Sequence, residues 1–127
     1  MKNTDAVLHL TVGEPEKVRR ARASAALKAA RLGKAAKPYF GIDFDDVGEM
    51  LAVFAPKRWE LIGALRESGA TTVAELARLL RRDYKSVHND CERLIYWSVI
   101  EKDENGLLFV PYAKVAVDMH LPDKRAA

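Results

Sequence analysis

Residues 56–110 change the spacing of their apolar side chains in an order that few folds accommodate: three helical stretches, then two short β-rich runs about a tight turn. The first stretch opens on Pro56, a residue at home in a first helical turn, and sets Trp59, Leu61, Ile62 and Leu65 on one face. The second opens on Thr72-Val73-Ala74-Glu75. There the Thr72 hydroxyl can accept from the Glu75 amide, and the Glu75 carboxylate can reach back to the Thr72 amide. Val73, Leu76, Ala77, Leu79 and Leu80 form its apolar stripe, with Arg78, Arg81 and Arg82 turned away from it. The third begins at Asp83, a second N-cap, and buries Val87, Cys91, Leu94 and Ile95. Residues 99–102 and 107–110 then bracket Asp103-Glu104-Asn105-Gly106, in which Asn and Gly both tolerate positive φ and signal a hairpin.

Two helices joined by a turn of roughly three or four residues can present the second helix to a DNA major groove. With Val87 and Cys91 inward, Tyr84, Lys85, Ser86, His88 and Asn89 lie on or near the outer face. Asn and Lys read base edges, while Ser and Tyr suit phosphates or bases. An ordinary solvated helix face is the plain alternative, and the hairpin that follows favours the DNA reading. Three runs carry a more specific likeness. They are PKRWELI-x-ALRE, ELA-x-LL-x-RDYK-x-VH-x-D, and VIE-x-DE-x-G before a segment ending Val110-Pro111-Tyr112.

In these runs, over residues 44–119, the chain resembles the MarR-like DNA-binding regulators. The resemblance implies an α+β fold, a winged helix-turn-helix with a three-helix core and a hairpin wing. It also implies a sequence-specific double-stranded DNA regulator, a repressor, with no small-molecule cofactor. The helix from Asp83 would enter the major groove, with Lys85, Ser86, His88 and Asn89 towards bases and Tyr84 on the same outer face. Arg81, Arg82 and the helix start at Thr72 would meet phosphates, and Lys102 and Asn105 at the wing tip an adjacent backbone or minor groove. The chain departs from the family at Ser98, where Gly is usual and a left-handed C-cap is expected. Some similar proteins are antitoxins that repress their own operon. A second reading is therefore a toxin-neutralising protein with residues 1–40 as its partner-binding arm. A third is a winged helix used only for protein contacts.

Charge is divided unevenly. The net of +3 comes from a strongly basic segment of residues 1–40 and an acidic remainder. A DNA-binding surface must then gather local cations, and Lys57, Arg58, Arg78, Arg81, Arg82, Lys85 and Arg93 are the candidates. No apolar run approaches the roughly 20 residues that span a bilayer, and no signal-peptide succession is visible. The single cysteine, Cys91, excludes an internal disulfide and sits in an apolar stripe, which suits a buried residue and a cytoplasmic location.

Before this stretch, residues 6–12 alternate like a strand closed by Gly13. It pairs either with the region 39–42 or with its own copy in a second subunit. Glu14-Pro15-Glu16 starts a helix running to about Gly33, with Val18, Ala21, Ala25, Ala29 and Leu32 on one face. Such a face buries little and calls for a partner surface, so a homodimer held by residues 1–40 is expected. After a linker at 33–38, residues 39–42 form a short β piece. Asp43, Asp45 and Asp46 precede a helical run with Val47, Met50, Leu51 and Phe54 inward. These carboxylates, with Glu49, suggest a metal, but N-caps and first-turn acids explain them more simply, so no metal is expected. Residues 114–119 alternate like a last strand. The organisation expected is an arm over 1–40, a domain over 41–120 and a tail over 121–127. His9, His88 and His120 fall on separate elements, and no phosphate loop or nucleophile motif is present, which argues against an enzyme.

Overall fold

Capping and periodicity give the chain five α-helices and five short strands among the residues 5–34 and 38–121 that the computed structural model describes. In order these are β1 (Ala6–Val12), α1 (Glu16–Arg31), β2 (Phe40–Phe44), α2 (Val47–Val53), α3 (Pro56–Ser68), α4 (Val73–Leu80), α5 (Tyr84–Tyr96), β3 (Glu101–Lys102), β4 (Leu108–Phe109) and β5 (Tyr112–Met119). The fold is α+β. Residues 35–37 of the linker expected at 33–38, and residues 122–127 of the tail expected at 121–127, lie outside the described residues.

Each helix start in the central stretch has a local cause. Asp46, Thr72 and Asp83 accept hydrogen bonds from the amides of Glu49, Glu75 and Ser86 at 2.8, 3.1 and 2.9 Å. Asp46 is thus a cap, as expected. The Glu75 carboxylate lies 3.3 Å from Arg78, one turn on. Pro56 opens α3, where a missing amide costs nothing. Leu61, Ile62 and Leu65 of α3, Leu76 and Ala77 of α4, and Val87, Cys91 and Leu94 of α5 share one core with Ile100 and Leu108 of the hairpin. Leu79, expected inward, is exposed, as are Val47 and Leu51 of α2. Helices of eight and seven residues turn a narrow face to the core, and these side chains fall beside it.

The hairpin strands are shorter than the sequence runs, and only Gly106 of the Asn-Gly pair has positive φ. Asp103 holds the turn by accepting from the amides of Asn105 and Leu107, both at 2.9 Å. Thr71 bridges to Leu108 through bonds of 3.0 and 2.8 Å, so the segment before α4 adds a third short β element.

A second, three-stranded sheet has the order β2-β1-β5 with both pairings parallel. The register sets Leu8, Leu10 and Val12 beside Ile42 and Phe44 on one side and Val115, Val117 and Met119 on the other, all on one face. That face meets the ends of α2 and α5, with Phe44 packing edge-on to Phe54 at 6.2 Å and tilted on Trp97 at 5.4 Å. Of the two pairings left open for residues 6–12, the one with the second β piece is present. Both edges of β1 are occupied, so this strand offers no free edge to a second subunit.

The opposite face is polar. Thr11 donates to Asp43 at 2.7 Å, and His9 stacks on Tyr39 at 4.8 Å. Asp43 therefore belongs to a strand and not to a helix cap. Among the described residues no group of His, Cys, Asp and Glu could hold a metal ion. Helix α1 buries none of its residues. Its ties are polar: Arg22 reaches the buried Glu14 carboxylate at 2.8 Å and lies 4.0 Å over the Tyr39 ring, and Arg19 is 3.8 Å from Asp43. Among the described residues no helix is long and apolar enough to cross a membrane.

Candidate nucleic-acid interface

The candidate surface is built on the turn between α4 and α5. Helix α4 ends at Arg81, held in the left-handed region at φ 54° and ψ 46°, and its amide bonds back to α4 carbonyls. Arg82 then bonds to the Ala77 carbonyl at 3.0 Å. The chain turns, and Asp83 caps α5. The Asp83 carboxyl is held below its ordinary range by bonds from the Ser86 amide and hydroxyl, which keep the cap charged.

From that start the helical wheel fixes what each side chain can reach. Val87, Cys91 and Leu94 are buried. Lys85 and Asn89, opposite them, are exposed, with Tyr96 two turns beyond on the same face. Tyr84 and His88 sit one step towards the hairpin, their rings stacked at 5.9 Å, with His88 3.7 Å from Glu92. They line a cleft of about 260 Å³ that also takes in Thr72, Cys91, Glu92 and Lys102. Lys102 and Asn105 are exposed on the hairpin, and Arg81 is exposed at the turn. The structure thus gathers Thr72, Tyr84, His88 and Lys102 about one cleft and leaves Lys85 and Asn89 on the crest of α5.

Two expected contacts lie elsewhere. Arg82 is not an open phosphate ligand: its side chain is 16% exposed and its guanidinium bonds Asp90 at 2.6 Å. Asp90 also takes Arg58 at 3.0 Å, and Arg58 donates to the carbonyls of Ala52 and Val53 that end α2. One carboxylate therefore ties α2, α3, the turn and α5 together, and two cations counted for the surface are structural. Ser86 is half-buried on the flank of α5 near this group and not on its crest. Sequence reasoning missed Asp90. Its helical position, between the buried and outward faces, was the available signal.

A family model, HVO_A0114, matches residues 53–117. The chain belongs to the HVO_A0114 family. The match runs from the end of α2 through α3, α4, α5 and the hairpin into β5, so the HVO_A0114 unit contains the whole candidate surface. It leaves β1, α1 and β2 outside. None of the curated proteins and none of the solved structures matches the chain.

Proposed function

We propose that this HVO_A0114-family chain is a winged helix-turn-helix of the MarR-like kind, a cytoplasmic double-stranded DNA-binding repressor. Helix α5 enters the major groove, and the β3–β4 hairpin is the wing. One observation carries the reading: a capped helix, set off by a tight turn, exposes Lys85 and Asn89 on its crest beside a hairpin that exposes Lys102 and Asn105. Lys and Asn are suited to guanine and adenine edges in the major groove. Arg81 and Lys102 are placed for the flanking phosphates, and Tyr84 and His88 for the groove wall nearest the wing. The chemistry asked of the chain is binding alone, and no catalytic step or cofactor is invoked.

An operator selected from random duplexes tests this. Lys85→Ala and Asn89→Ala should each stay folded, since both side chains are exposed, and weaken operator binding by about 1–3 kcal/mol. Fluorescence anisotropy reads the loss. Unchanged binding by both variants removes α5 from the groove. A homodimer would place two such helices roughly 34 Å apart, one turn of DNA, and so read a palindrome.

The antitoxin reading has its own observation. Helix α1 is held by polar ties, buries no residue, and exposes Val18 and Leu27, with Leu32 exposed at its C-cap. An exposed apolar face on an otherwise polar helix is a surface on which a partner can dock. Co-expression with the protein of an adjacent reading frame, followed by copurification, decides it. A partner retained by the full chain and lost on Leu27→Glu supports it, and no retained partner dismisses it.

A further inference from the structure

We infer that β5 is a self-complementary edge, and that two copies of this chain join through it into one continuous sheet. Among the described residues the strand pairs with β1 alone, on one side. The His120 amide donates to the Val12 carbonyl at 3.0 Å, so residues of even number in this segment turn their backbone groups towards β1. Those of Val115 and Val117 therefore point off the sheet, towards the open edge.

The residues about Ala116 are arranged for a two-fold axis. In antiparallel pairing centred there, Ala116 faces Ala116 of the second copy, Lys114 faces Asp118, and Val115 faces Val117. Each facing pair shares a sheet face, as the pleat requires. The outward groups of Val115 and Val117 are those that a hydrogen-bonded antiparallel pair uses, exchanging both N–H and C=O with the second copy. Ala116 falls at the non-hydrogen-bonded position, where strands approach most closely and a small side chain fits. Opposite charges meet on the polar face and valines on the apolar one. Slipping the register by two residues sets Lys114 or Asp118 against an uncharged or like residue, so the charges select one alignment.

The apolar face supplies the burial. Val117 and Met119 are 49% and 44% exposed although they lie on the face that buries Leu8, Leu10 and Val12. A two-fold axis perpendicular to the sheet keeps the apolar faces of both copies on one side, with Val117 and Met119 of each copy near the seam. The Asp118 carboxylate lies 3.3 Å from His120 within the chain, and its side chain is 71% exposed and so open to Lys114 of the second copy.

Sedimentation of the full chain without DNA tests the inference separately from operator binding. A concentration-dependent dimer is expected. Val117→Pro removes an amide that faces away from β1, which an edge strand tolerates, and should give a folded monomer whose circular dichroism matches the full chain and whose melting temperature no longer depends on protein concentration. Lys114→Glu should raise the dimer dissociation constant about tenfold, and adding Asp118→Lys should restore the parent value. Both charged sites are exposed, so these variants remain informative if the proline variant misfolds. A full chain that is monomeric at high concentration, a dimer indifferent to Lys114→Glu, or no rescue by the charge swap overturns it.

Discussion

Ser98 holds φ 62°, where the Cβ of an L-residue crowds its neighbouring carbonyl. The conformation is what lets the chain leave α5 and enter the hairpin, through the Ser98 amide on Ile95 and the Val99 amide on Leu94. Ser98→Gly should therefore raise stability by about 1 kcal/mol, read as a higher urea midpoint at constant slope. That position was legible because a helix that ends and turns straight into a hairpin calls for a left-handed C-cap. The equivalent strain at Arg81, φ 54°, was not, since an arginine in a run of basic residues gives no sign of a backbone turn. Cys91 shows the opposite case, where a stripe position and a small side chain did announce burial. Burial first, then the neighbouring Asp90 and Glu92, pushes its thiol from 9.0 up to about 11. A raised pKa stabilises the fold fully below the unfolded value, and this contribution is lost as pH rises from about 9 through 11. Thiol reagents at pH 8 should leave native Cys91 untouched and modify it promptly in denaturant. Rapid modification of the native protein would mean that α5 opens from the core.

At the scale of elements, the helices α3, α4 and α5 and the hairpin could be read in sequence because caps and periodicity are local. The group that fastens them could not. Arg58 and Asp90 are 32 residues apart, and no period links them. The side chains of Asp90, Arg58 and Arg82 are 15–18% exposed, so removing one member leaves charges short of both water and partner. Asp90→Ala should cost about 3 kcal/mol, the range measured when buried pairs are broken. Arg82→Ala should likewise lower the melting temperature while leaving the salt dependence of operator binding unchanged. A phosphate contact would behave differently: its loss lowers the slope of affinity against salt and weakens all sequences alike. Measuring binding at several salt concentrations separates the two roles, and a reduced slope would return Arg82 to the surface.

For the whole molecule, the decisive placement is that of β1. Alternation showed a strand, and its distance in sequence from the hairpin suggested an arm with an edge to share. Parallel pairing changes this, because a strand near the N-terminus can lie beside the last one once a crossover carries the chain between them. That pairing spans more than a hundred residues and leaves no local trace. Strand β1 is the centre of its sheet, and Leu8 and Leu10 are buried there at 2% and 0% exposure. Strands β2 and β5 are not neighbours, so each depends on β1 for its hydrogen bonds. A chain begun at residue 40 should therefore do more than lose an arm. It should expose Phe44 and Val115, release β5 from the helices, and melt well below the full chain or aggregate through its unpaired strands. Circular dichroism and light scattering on the two proteins check this. A truncated chain that melts with the full one would show that the HVO_A0114 unit of residues 53–117 stands alone, and that the sheet is an addition resting on it.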